Sequence, residues 1–109
     1  TRLCGDPHPM SRTAVRRLLV AYDIPDDKRR SALAQILEGY GDRVQYSVFI
    51  VDAAPSRVVR MRNELLATMK PHLDSILMCD LGPTASLTDS TFTWLGRSRP
   101  ITDASSFIV

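Results

Sequence analysis

The chain of 109 residues is 44% hydrophobic, which supplies one compact core and leaves no room for a second ordinary domain. Its formal net charge of +2, from 14 basic and 12 acidic residues, is too small to single out a nucleic-acid binder. No apolar run reaches the roughly 20 residues of a membrane span and no signal-peptide pattern opens the chain, so a cytoplasmic location with no membrane partner is expected.

Thr1 to Pro9, with two prolines and a glycine ahead of Met10, reads as an N-terminal extension and is set apart from the fold. Arg17 to Ile24 is a nearly unbroken apolar run that ends abruptly in charge, the pattern of a central strand covered on both faces. Pro25-Asp26-Asp27 then starts a helix, because proline tolerates the first turn and carboxylates favour the positive end of the helix dipole. Leu33, Ile36, Leu37 and Tyr40 recur at helical spacing, giving that helix one buried stripe and an end at Gly39 to Gly41.

Arg43 to Val51 is rich in β-branched and aromatic residues and must be extended, as one kinked strand or as two short strands around Gln45 to Ser47. Pro55-Ser56 opens a second helix with Val58, Met61, Leu65 and Met69 as its apolar stripe. Arg57, Arg60 and Glu64 fall on its outer side, and Pro71 follows its end. Asp74 to Leu81 reads as a strand closed by Gly82-Pro83. In Ser90 to Leu95, Phe92 and Trp94 alternate with threonines as in a looser strand, and Phe107-Ile108-Val109 is an apolar terminus suited to docking.

This succession predicts an α+β, ferredoxin-like sandwich (βαββαβ) with both helices on one face of the sheet and an additional C-terminal strand. Ser90 to Leu95 has no place in the completed sandwich, so it is expected to extend the sheet of a second protomer.

For chemistry, the kind of base is more informative than the net charge: 12 of the 14 basic residues are arginine, whose planar fork pairs with phosphate oxygens two at a time. Cys4 and Cys79 form no C-x-x-C pair, and His8 and His72 lack a partner cluster. Neither a G-x-x-x-x-G-K phosphate loop nor a G-x-S-x-G elbow occurs. Tyr46 and Phe49 are three apart and would face opposite sides of a strand, so they make no paired base platform, and Phe49 is expected in the core. Asp23 closes the first strand beside a helix start. That position suits a helix cap or turn residue as well as a rigidly held metal ligand, and the residues alone leave both open.

Leu19-Val20, Tyr22-Asp23-Ile24, Asp26-Asp27 and Arg29-Arg30, followed by Arg43-Val44-Gln45-Tyr46-Ser47-Val48-Phe49, resemble the small endonuclease of CRISPR adaptation, the compact partner of the CRISPR integrase in spacer acquisition. The resemblance runs from Leu18 to Leu81 and implies a ferredoxin-like nuclease domain, placed here at residues 10–96 with a tail at 97–109. It further implies a homodimer in which the aspartate closing the first strand, Asp23, is catalytic and binds Mg2+. Tyr22, Asp26 and Phe49 are the expected supporting residues, and Arg29, Arg30 and Arg43 the expected contacts to RNA or DNA. One carboxylate per chain is a poor cage for an ion that takes about six oxygens, but a two-fold axis would bring two Asp23 side chains to one ion. The alternatives are a non-catalytic architectural dimer bridging integrase subunits, or a toxin-like ribonuclease on the same scaffold.

Overall fold

A computed structural model describes residues 14–88 and 91–98 of the chain. Expectations that fall on residues 1–13, on Ser90 or on 99–109, Phe107-Ile108-Val109 among them, lie outside the described residues. The elements in order are β1 (Arg16–Asp23), α1 (Asp27–Glu38), β2 (Gly41–Gln45), β3 (Val48–Ala53), α2 (Pro55–Thr68) and β4 (Ser75–Pro83), followed by a short 3-10 turn at Thr84–Ser86. The four strands form one antiparallel sheet in the order β2-β3-β1-β4, the ferredoxin-like arrangement expected from the sequence. Among the described residues no helix is long and apolar enough to cross a membrane.

β1 buries Leu18, Val20 and Tyr22 on the helix-facing side and turns Leu19, Ala21 and Asp23 to the other, as a pleated strand must. Leu33 and Leu37 of α1 and Met61 and Leu65 of α2 close over that side together with Phe49 and Val51 of β3. Each such side chain, fully buried, contributes about 1.5–3 kcal/mol. α1 ends at Glu38, so Tyr40, which spacing placed in the helical stripe, lies in the following turn. There its hydroxyl donates to Glu64 of α2 at 2.7 Å, and the Arg57 guanidinium lies 4.5 Å from its ring.

The extended run Arg43 to Val51 resolves into two strands joined at Tyr46-Ser47. Their register shifts between Arg43 and Gln45, so Arg43 pairs with Phe49 while Gln45 pairs with Val48. β4 runs through Gly82-Pro83, where the sequence pattern predicts its end. The ladder slips between Arg17 and Leu18, and Gly82 absorbs the irregularity at a φ of 105° that a side chain would resist.

The additional C-terminal strand is not formed with the protomer's own sheet: Thr91 to Leu95 carry no strand pairing. The physical reason lies in the open face. Both helices cover the same side of the sheet, as expected. On the other, Phe92, Thr93 and Trp94 lie against Leu19, Val44, Val48 and Ile50 around a cavity of about 300 Å3. The Arg17 guanidinium sits 6.0 Å from the Phe92 ring and pairs with Asp52 at 2.7 and 2.8 Å. Covering an apolar face needs side chains rather than ladder hydrogen bonds, which is what the alternating aromatics of this segment supply.

Candidate functional site

Asp23 is the last residue of β1, paired in register with Ser75 of β4. Its side chain is exposed and, among the described residues, has no hydrogen-bonding or ion-pair partner. The helix-cap alternative falls to its neighbour: Asp26 is the N-cap of α1 and accepts the Arg29 backbone N–H at 2.8 Å. Asp23 is thus a carboxylate held by a sheet and left open to water. Among the described residues of one protomer, no three His, Cys, Asp or Glu side chains gather into a metal cage. A single exposed hard-oxygen donor still suits magnesium, which takes one or two carboxylates and retains several waters.

The β2–β3 turn is tied to this strand end. The Ser47 carbonyl accepts the Tyr22 backbone N–H at 3.1 Å, and the Tyr22 hydroxyl donates to the Tyr46 carbonyl at 3.4 Å. Tyr22 stacks on Phe49 with ring centroids 6.3 Å apart. Arg43 lies over the opposite part of this cluster, its guanidinium 5.2 Å from the Phe49 ring and its Nη2 3.5 Å from the Tyr22 hydroxyl. Phe49 is fully buried, as expected, and its part in the site is to seat Tyr22 and Arg43.

The three arginines expected on nucleic acid have different surroundings. Both ends of the Arg29 fork are engaged by Asp74, at 2.6 and 2.8 Å, so this guanidinium joins the start of α1 to the segment before β4. Arg30 donates to the Ile24 carbonyl at 2.8 Å and pairs with Asp27, while Arg43 has no carboxylate partner among the described residues. Arg30 and Arg43 line one cleft with Tyr22 and Tyr46, and Arg29 is not part of it.

Sequence reading missed Asp74, taken as a strand residue although its side chain has no exposed surface and accepts from Arg29 and from the Lys70 N–H. The only local signal was an acidic residue just after the Pro71 turn. It also missed that Tyr46, Trp94 and Arg97 come together beside Arg43.

A four-stranded antiparallel sheet backed by two helices, with an unpaired carboxylate at the end of its first strand and arginines on the adjoining turn and helix, defines a ferredoxin-like α+β protein with a polar strand-end site. The family model described as CRISPR associated protein Cas2 matches residues 16–87, and the chain belongs to that family. It is 33% identical over 91 residues to CRISPR-associated endoribonuclease Cas2 1 of Rhodospirillum rubrum, covering 84% of this chain and 88% of that one. With CRISPR-associated endoribonuclease Cas2 3 of Synechocystis sp. it is 45% identical over 58 residues, 53% of this chain, and spans 63% of that relative's length. Among solved structures, a hypothetical protein from Thermus thermophilus superimposes with a TM-score of 0.67 at 32% identity, over 81% of this chain and 99% of that one. Cas2 of Streptococcus pyogenes does so with a TM-score of 0.54 at 31% identity, over 57% and 81%.

Proposed function

We propose that the chain is a magnesium-dependent endonuclease of RNA or DNA that acts as a homodimer and takes part in spacer acquisition with the CRISPR integrase. The reading is carried by Asp23, an exposed carboxylate with no partner among the described residues, at the end of a strand that is hydrogen-bonded on both sides. Relatives named endoribonucleases support the class of reaction. When bound, magnesium supplies Lewis-acid polarisation of the phosphodiester and lowers the pKa of a bound water.

The chain's own residues do the rest. Asp23 provides the negative charge and hard oxygen that retain the ion, and pairing with Ser75 of β4 fixes its backbone so that little ordering remains when substrate arrives. Arg30 and Arg43 offset the charge of neighbouring phosphates. Asp26 caps α1, and the Arg29–Asp74 pair holds the start of that helix, so both act by positioning Arg30. A second protomer related by a two-fold axis would present a second Asp23 and bring the carboxylates to the number magnesium favours.

The test is cleavage of single-stranded RNA and double-stranded DNA by the purified chain, with and without magnesium. Asp23→Asn is expected to reduce metal-dependent cleavage to background with an unchanged melting curve, because the amide keeps the shape and removes the charge. Full activity in that variant rejects the site. If the wild-type chain cleaves neither substrate, the architectural dimer that bridges integrase subunits takes the place of the nuclease.

A further inference from the structure

Asp23 sits at a branch point of the fold. On one side β1 pairs with β4, which brings Asp23 into register with Ser75. On the other the chain leaves through Ile24 toward α1, which begins at Asp27. A carboxylate placed there is held only as well as the two branches are held to each other.

Arg29 and Asp74 join the branches. Asp74 immediately precedes Ser75, and its side chain has no exposed surface. Arg29 lies in the first turn of α1, and its Nε and Nη2 donate to the two Asp74 carboxylate oxygens at 2.6 and 2.8 Å. Its neighbour Arg30 returns to the strand end by donating to the Ile24 carbonyl at 2.8 Å. Contacts therefore run in a closed circuit from Asp23 through Ser75, Asp74, Arg29, Arg30 and Ile24 back to Asp23. Asp74 also accepts the Lys70 N–H at 2.9 Å, which anchors the circuit to the turn after α2.

Stability alone does not explain why an ion pair stands here. A buried pair of charges recovers its desolvation cost poorly, and well-packed apolar residues of similar volume are often as stabilising or more so. Apolar contact is non-directional, however, whereas a guanidinium fork on a carboxylate fixes distance and plane at two points. What the pair adds is position.

We infer that Arg29 and Asp74 are positioning residues for the Asp23 carboxylate, setting the angle at which the strand end presents it to a metal ion. The inference rests on the proposed metal role of Asp23 and adds the residues that place it. It gives Arg29 a task other than the nucleic-acid contact expected of it from the sequence.

Two readouts test it, the first without metal. Backbone hydrogen exchange of the metal-free chain is followed at residues 22–24 and 74–76 in the wild type, Arg29→Lys, Asp74→Asn and Tyr40→Phe. Arg29→Lys keeps the charge and loses the fork, whereas Tyr40→Phe removes the 2.7 Å hydrogen bond to Glu64, outside the circuit. Exchange at both stretches should rise roughly tenfold in Arg29→Lys, about the worth of one hydrogen bond to a charged group, and stay unchanged in Tyr40→Phe. The second readout is the affinity for Mn2+, a probe for magnesium, measured by electron paramagnetic resonance. It should fall roughly tenfold in Arg29→Lys and in Asp74→Asn, the lower end of the effect of outer partners of a metal ligand, with Tyr40→Phe again unchanged. Unchanged exchange in Arg29→Lys, or an affinity that falls as far in Tyr40→Phe as in Arg29→Lys, overturns the inference while Asp23 keeps its metal role. Asp23→Asn binding Mn2+ as tightly as the wild type overturns the metal role itself, and the inference with it.

Discussion

The Asp74 side chain has no exposed surface and accepts three hydrogen bonds, two from the Arg29 guanidinium and one from the Lys70 N–H. The Arg29 hydrogen bonds outweigh burial and hold its carboxyl at about 2, below the ordinary value of 3.8. A carboxylate whose pKa is depressed in the fold stabilises it above the unfolded value, and that stability is lost as pH falls through the folded value. The wild-type chain should therefore lose stability between pH 3.8 and about 2. Asp74→Asn should melt at lower temperature near neutral pH, because Arg29 loses its counter-charge, and should show a shallower decline on acidification. Asp80, also lowered by Arg16 and the Gly82 N–H, keeps part of the decline in the variant. Thermal melts of both proteins across that range check this, and parallel acid profiles would rule out Asp74 as a source of acid sensitivity.

At the scale of elements, α1 and the β2–β3 hairpin tolerate change very differently. The Asp26 cap is half-exposed and satisfies one helix N–H, so Asp26→Ala should cost about 1 kcal/mol in urea unfolding. Gly41 opens β2 where a Cβ would come within 2.1 Å of the Ile50 carbonyl oxygen and 2.9 Å of the Val51 Cα. Both obstacles are backbone, so relief requires the two strands to part. Gly41→Ala should cost about 3 kcal/mol, the upper end of overpacking, and should displace the turn that carries Tyr46. A urea midpoint close to that of the wild type would show that the edge strand can shift freely.

Among the described residues one face of the sheet is closed by helices, while on the other the C-terminal segment lies over Val44, Val48 and Ile50 and leaves Leu77 of β4 61% exposed. Ile50 and Val44 are 2% and 5% exposed although no helix reaches them, and Phe92 and Trp94 are their cover. A chain ended after Ser86 should uncover Leu19, Val44, Val48 and Ile50 as one apolar patch. Light scattering should then report aggregates, and cleavage should fall although Asp23 is untouched. A truncated chain that stays monodisperse and melts like the wild type would show that the cover is dispensable.

The strands and helices were legible in the sequence because each is written locally: the charge-ended run of β1, the Pro-Asp-Asp start of α1, and the stripe of Met61 and Leu65 in α2. Asp23 stood out for the same reason, being part of a compact block of residues that resembles a known family. The missed features join distant residues. Arg29 finds Asp74 at a separation of 45 residues, and Arg16 finds Asp80 at 64. β4 continues through Gly82-Pro83 because its pairing with β1 slips by a residue, which no pattern within β4 records. That Phe92 and Trp94 lie on the side of the sheet the helices leave bare is likewise set by packing rather than by the segment's own pattern. Periodicity reports how a segment meets its surroundings, while the surroundings themselves come from packing, and so Tyr46, Trp94 and Arg97 meet beside Arg43 only once the turn and the C-terminal segment have been brought together.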